Sequence, residues 1–262
     1  MPIITLLTDF GSKNGFTGVL KGVIWKIAPD THIADITHEI TPQNIMEGAI
    51  ALWRAVAFFP AGTIHVAVVD PGVGTARRPI AAQIGDQYFV GPDNGIFTPI
   101  MEQAESNGQG VKVFHLVNPE YWLPEVSHTF HGRDIFAPVA AHLAAGVLIE
   151  KMGTPVKDPI RLVMPQPVRT ERGWQGQVVL IDIFGNIATN LSGDLIKNKP
   201  NVLIHIGGER IQGLVKSYGE RTPGDVVALV DSENFLEVAV VNGNGAQKIE
   251  ATIGDPVELV YL

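Results

Sequence analysis

Residues 3–8 and 63–69 are nearly unbroken apolar runs, the pattern of strands buried on both faces of a sheet. Around them apolar residues recur at helical spacing. Val19, Val23 and Ile27 mark a helix over 15–27 that Pro29 stops. Ile45, Ala49, Leu52, Val56 and Phe59 mark a second helix, with Thr41 as N-cap, Pro42 in the first turn and Pro60-Ala61-Gly62 at the end. Phe136, Ala140, Leu143 and Val147 mark a third over 134–149. Residues 32–36 and 111–116 read as further strands, and 79–84 with 87–91 as a hairpin turning at Gly85-Asp86. Strands alternating with helices predict an α/β domain with a mostly parallel sheet.

The pattern changes after Pro165. Short β-rich runs take over at 176–181, 202–206, 210–215, 226–230, 235–241 and 257–261. Turn signals separate them: Gly207-Gly208, Thr222-Pro223-Gly224-Asp225, Asn242-Gly243 and Gly254-Asp255-Pro256. This punctuation predicts a small antiparallel barrel or sandwich. Met164-Pro165-Gln166-Pro167 reads as a linker, so two domains are expected, over 1–165 and 166–262.

Composition narrows the chemistry. The 262 residues include no cysteine, which excludes disulfides, thiolate nucleophiles, iron–sulfur clusters and cysteine-based zinc sites. Nineteen basic against 27 acidic residues give a net charge of −8, without the basic footprint of a nucleic-acid or anionic-membrane binder. No nucleic-acid or membrane partner is expected. The apolar stretch over 136–149 is too short to span a bilayer, and Met1–Leu7 lacks the basic region of a secretion signal. A cytoplasmic, soluble protein is the expectation.

Asp9 and Asp70 each follow a predicted buried strand, where parallel α/β sheets bind ligands. The competing reading is that each caps the next loop. Asp70 opens Asp70-Pro71-Gly72-Val73-Gly74-Thr75-Ala76-Arg77-Arg78, which lacks the Gly-Lys-Ser/Thr ending of a phosphate loop and the Gly-x-Gly-x-x-Gly of a dinucleotide site. An Arg seven residues beyond an Asp can fold back to pair with it; a solvated basic pair is the plainer alternative. His128-Thr129-Phe130-His131-Gly132-Arg133-Asp134 is the densest polar cluster. Its two His, three apart, raise the possibility of a metal site but fit no zinc spacing. Asp134 reads first as a helix N-cap, and a His at a helix start has its pKa lowered by the dipole. Pro92-Asp93-Asn94-Gly95 is a turn signature. In the second half, Asp182-Ile183-Phe184-Gly185-Asn186 leaves a strand with groups suited to an amine and a base edge, with a plain turn as the alternative. Ser232 and Glu237 read first as surface groups.

In order, Leu7-Thr8-Asp9-Phe10-Gly11, Asp35-Ile36-Thr37-His38, Val69 to Arg78, Gly91-Pro92-Asp93-Asn94-Gly95 and Thr129 to Phe136 make a composite pattern. Together with 182–186 and 232–246, this pattern resembles the S-adenosyl-L-methionine (SAM) hydroxide adenosyltransferase family, relatives of the fluorinating and chlorinating adenosyl enzymes. The resemblance covers essentially the whole chain. It implies an N-terminal α/β domain, a C-terminal antiparallel β-barrel, and a homotrimer that binds its ligand between subunits. The implied reaction is attack of water or hydroxide at C5′ of SAM, giving adenosine and L-methionine, with SAM as substrate and neither cofactor nor metal. It assigns Asp70, Arg77 and His131 to catalysis, with Arg77 preferred to Arg78 by its spacing from Asp70. Asp9 is assigned to the ribose hydroxyls, Asp182 to the methionine ammonium, Asn186 to the adenine edge and Ser232 to the methionine carboxylate. Glu237 and the Val240 backbone are placed along the nucleoside, with Tyr218 stacking. His38 receives no role. A halide nucleophile, a non-catalytic nucleoside binder and a metal hydrolase built on His128, His131 and Asp134 are the competing readings.

Overall fold

In the computed structural model, which describes residues 1–197, 199 and 201–262, the chain divides into two units, Met1–Val163 and Met164–Leu262. The first builds one sheet from β1 (Ile3–Thr8), β2 (His32–Thr37), β3 (Ile64–Val68), β4 (Pro79–Ile84), β5 (Gln87–Pro92), β6 (Val111–Leu116) and β7 (Gly153–Val156), in the order β2-β1-β3-β5-β4-β6-β7. The four strands β2, β1, β3 and β5 are mutually parallel; β4, β6 and β7 join them by antiparallel pairing.

The unbroken apolar runs are explained by helices on both faces. Ile4, Leu6, Ile64, Val66 and Val68 pack under α1 (Phe16–Ile27), while Leu7, Ala67, Val69 and Phe89 pack under α2 (Ile45–Val56) and α3 (Thr98–Ser106). From α1, Leu20 and Ile24 are fully buried, each contributing about 1.5–3 kcal/mol by leaving water. The helix α4 (Ala137–Ala144) joins α1 on the first face. Thr8 of β1 is in register with Val68 of β3, so Asp9 and Asp70 emerge at the same carboxyl edge of adjacent strands.

Two helix starts differ from the sequence reading. The second helix begins at Ile45, capped by Asn44 rather than Thr41. Asn44 Oδ1 accepts from Glu47 N (3.1 Å) while Asn44 Nδ2 donates to the Glu47 carboxylate (3.2 Å), and Gln43 at φ 68° breaks the helix before it. The expected helix over 134–149 is in fact a π-helical turn, Gly132–Phe136, leading into α4, which Gly146 at φ 89° ends. The helix α3 and strand β7 had no sequence expectation.

The second unit holds β8 (Val168–Arg169), β9 (Gly173–Ile181), β10 (Ile187–Ser192), β11 (Val202–Ile206), β12 (Glu209–Gln212), β13 (Val226–Val230), β14 (Phe235–Val240) and β15 (Pro256–Tyr261), with the short helix α5 (Gly245–Ile249). The strands run β12-β11-β15-β9-β10-β14-β13, antiparallel throughout, with β8 on β9. Val215 N, just past β12, donates to Ala228 O of β13 at 2.9 Å, which draws the two edges together into a nearly closed barrel. Val178, Leu191, Ile204, Val238 and Leu259 fill its interior.

Candidate active site

Beyond β3 the chain turns through Gly72 and Gly74 so that Arg77 returns to Asp70. Arg77 Nε donates to Asp70 Oδ1 (2.9 Å), and Arg77 Nη2 donates to Oδ2. The return depends on Gly74, which sits at φ 75° and so close to the next loop that a Cβ would stand 2.2 Å from the His128 carbonyl oxygen. That close approach brings His131 to the same guanidinium: Arg77 Nη2 lies 3.0 Å from His131 Nδ1. Beneath it, the Phe136 ring centre is 5.1 Å from Arg77 Cζ, a cation–π contact. The Asp70 and Arg77 side chains are only 6% and 9% exposed. Arg77 Nη1 is buried, and no acceptor among the described residues reaches it.

This geometry sets the state of the histidine. Guanidinium nitrogens only donate, so the contact with Arg77 makes Nδ1 the lone-pair nitrogen of the neutral ring and puts the proton on Nε2. Burial, and next the Arg77 charge, push the His131 pKa below its ordinary value, which keeps the ring neutral near pH 7. Asp70 and His131 therefore meet through Arg77.

The His131 loop is braced from inside by Asp134, fully buried at 0% exposure. It does not cap a helix. Its Oδ2 accepts from Ser127 N (2.8 Å) and Ser127 Oγ (2.7 Å), and its Oδ1 from Arg133 Nε (2.6 Å). Burial raises its pKa, but these hydrogen bonds outweigh burial and hold it below the usual carboxylate range. Ser127 and the bracing role of Asp134 went unread in the sequence; both depend on a 127–134 loop geometry that local pattern does not encode. With Nδ1 of His131 on Arg77 and Asp134 committed to Ser127 and Arg133, those side chains are already engaged. Among the described residues no group of three His, Cys, Asp or Glu is arranged to hold a metal ion.

Arg78 points elsewhere. It pairs with buried Asp93 (2.7 Å) and with Asp158 (2.9 Å), and Asp93 Oδ1 also accepts from Ile160 N (2.8 Å), so this arginine fastens the end of the first unit. Asp9, at the end of β1, accepts from Gln43 N through Oδ2 (2.8 Å).

In the second unit, Asp182 shapes its own turn. Its Oδ1 accepts from Phe184 N and Asn186 N (2.8 Å each), and its Oδ2 accepts from Asn186 Nδ2 (3.0 Å). Ile183 and Phe184 are left 92% and 68% exposed at the tip. Tyr218 donates its hydroxyl to Glu237 Oε1 (2.6 Å), and Glu237, read as a surface group, is buried on β14. Burial, then Glu237, Asp182 and Asp231 in turn, raise the Tyr218 pKa, which places these groups in one neighbourhood. Ser232 is exposed in the β13–β14 turn, and Val240 ends β14 with its carbonyl taken by Gly243 N (3.1 Å).

Comparison with known proteins places this architecture. Residues 4–153 match the N-terminal domain and 176–258 the C-terminal domain of SAM hydroxide adenosyltransferases. The chain belongs to the SAM hydroxide adenosyltransferase family. A relative from Salinispora tropica, named (R)-S-adenosyl-L-methionine hydrolase, is 39% identical over 97% of this chain and 96% of its own length. A protein from Actinoplanes sp. named fluorinase is 29% identical over 72% of each. The crystal structure of an uncharacterized conserved protein from Thermotoga maritima superposes with a TM-score of 0.91 at 38% identity, over 98% of this chain and 99% of that one. Among the described residues of this family member, no helix is long and apolar enough to cross a membrane.

Proposed function

We propose that this protein hydrolyses SAM to adenosine and L-methionine. The observation that carries the reading is the buried Asp70–Arg77–His131 assembly, with a guanidinium nitrogen, Nη1, left without an acceptor among the described residues. A buried unpaired donor costs about 1–3 kcal/mol. An oxygen nucleophile seated on Nη1 relieves that cost, so the site favours water over an apolar occupant.

The sulfonium is already a good leaving group, and activation of the nucleophile is the difficulty. Water has a pKa of about 15.7 and histidine about 6.5, so forming free hydroxide with His131 beforehand would cost roughly 12 kcal/mol at about 1.36 per unit. Proton loss during attack avoids this. As the water oxygen bonds to C5′, the C5′–S electron pair goes to sulfur and the attacking water becomes strongly acidic. Solvent then suffices as acceptor of that proton, while Asp70 holds the opposite, Nε–Nη2 edge of Arg77. Arg77 Nη1 holds the oxygen in line. His131, whose lone pair is spent on Nη2, fixes the guanidinium. Positioning of this kind contributes several kcal/mol.

Asp9 binds the ribose hydroxyls in this reading. Asp182, Asn186, Tyr218, Ser232, Glu237 and Val240 bind the rest of the substrate and are supplied by a neighbouring copy in a homotrimer, a part of the proposal supported by the family resemblance. Incubation with SAM is expected to release equal amounts of adenosine and methionine, undiminished by a chelator. The relatives' name specifies the (R) sulfonium, so both epimers are the substrates to assay. A 5′-halo-nucleoside as the main product in fluoride or chloride would overturn the hydrolase in favour of a halide transferase.

A further inference from the structure

His38 stands outside the catalytic assembly, yet it grips the strand end that carries Asp9. Its Nδ1 lies 2.9 Å from the hydroxyl of Thr8, the fully buried last residue of β1. The same hydroxyl accepts from Phe10 N (3.2 Å), and the His38 carbonyl accepts from Gly11 N (2.8 Å). Side chain and backbone of one residue thus hold Thr8, Phe10 and Gly11, the three neighbours that bracket Asp9.

The far side of the ring faces a carboxylate. Nε2 is buried and 3.2 Å from Asp35 Oδ1, off the line of a good hydrogen bond, while Asp35 Oδ2 accepts from Lys21 Nζ (2.5 Å). The lowered pKa of Asp35 keeps that carboxylate ionised and acceptor-only. Nε2 thus faces an acceptor, and Nδ1 shares a hydrogen bond with the Thr8 hydroxyl. The chain Lys21–Asp35–His38–Thr8 runs from α1 through the end of β2 to the end of β1.

We infer that His38 is a positioning residue for the ribose-binding carboxylate of Asp9, acting through the Thr8 hydroxyl. This rests on the reading of Asp9 given above. Asp9 touches the ribose, whereas His38 touches neither substrate nor the reacting atoms. Loss of His38 therefore weakens nucleoside binding and leaves the chemical step largely intact.

The test is calorimetric binding of adenosine and 2′-deoxyadenosine, with KM and kcat for SAM, in the parent, Asp9→Ala, His38→Ala, His38→Asn, Thr8→Val and the Asp9→Ala/His38→Ala double variant. His38→Ala is expected to weaken adenosine binding and raise KM by about fivefold to thirtyfold, the range for one lost buried hydrogen bond, with kcat within about threefold. Thr8→Val removes the same contact with little change of shape and should match it. His38→Asn restores a hydrogen-bond partner for Thr8 and should recover most of the affinity. Preference for adenosine over 2′-deoxyadenosine should shrink in every weakened variant, and His38→Ala should add nothing once Asp9 is gone. If Asp9→Ala weakens adenosine binding but His38→Ala and Thr8→Val do not, or if their losses add fully to that of Asp9→Ala, His38 does not position Asp9. If Asp9→Ala itself binds adenosine like the parent, the ribose reading fails first, and this inference with it.

Discussion

Arg77 is the residue on which the proposed site turns: it binds Asp70 with one edge and His131 with Nη2, and its buried Nη1 meets no acceptor among the described residues. If His131 serves to hold that guanidinium, what matters at position 131 is a hydrogen-bond acceptor. His131→Ala is then expected to lower kcat by about 10²-fold or more, and His131→Asn, whose amide oxygen can accept from Nη2, to stay within about tenfold of the parent. Asn as inactive as Ala in single-turnover assays would make His131 the proton acceptor instead. Spacing allowed Asp70 to pair with an arginine seven residues on but did not decide it against a solvated basic pair; the structure pairs Asp70 with Arg77. Which ring nitrogen of His131 faces that arginine was not legible, nor was the bracing by Asp134 and Ser127, because these depend on the contact of Gly74 with the His128 carbonyl across more than fifty residues.

At the scale of elements, β3, which leads into Asp70, also carries a cost. His65 on this strand is 0% exposed, accepts or donates at Thr5 Oγ1 (2.7 Å), and stacks on Phe89 with ring centres 5.0 Å apart. Burial lowers its pKa to about 4, against about 6.5 when unfolded. Between those values the unfolded chain binds a proton that the folded chain does not. The His65 contribution is thus fully present above pH 6.5 and falls by about 3 kcal/mol as pH drops to 4. Urea titrations at pH 7 and pH 4 should show that loss in the parent, and a loss smaller by about that amount in Thr5→Val/His65→Leu, where both polar partners are removed together. An unchanged difference between the two pH values would show that His65 titrates normally. Strands such as β1 and β3 were readable because two-sided burial demands unbroken apolar sequence. β10 was not: Thr189 and Asn190 interrupt its pattern, and they are tolerated because Thr189 Oγ1 donates to Leu236 O (2.8 Å) and Asn190 Oδ1 accepts from Gln177 N (2.8 Å). The start of α2 was misread for a similar reason, since the Asn44–Glu47 reciprocal cap outcompetes Thr41-Pro42.

For the whole molecule, the pattern changes from helical to short-strand near Pro165 and the chain divides into its two units after Val163, while the pairing order of the strands was beyond sequence pattern because it is set by contacts distant along the chain. If the substrate is shared between copies in a cyclic trimer, co-refolded Asp70→Ala and Asp182→Ala proteins at equal ratio should regain about a quarter of parental activity, since each half of a site is intact about half the time. Mixed trimers no more active than either variant alone would mean a site within one chain. Water attack at C5′ leaves its mark in the products formed in oxygen-18 water, read by mass analysis. Adenosine carrying one oxygen-18 at its 5′ position, beside unlabelled methionine, is the predicted result. Unlabelled adenosine, or label in an amino-acid product beside a thioether nucleoside, would contradict it.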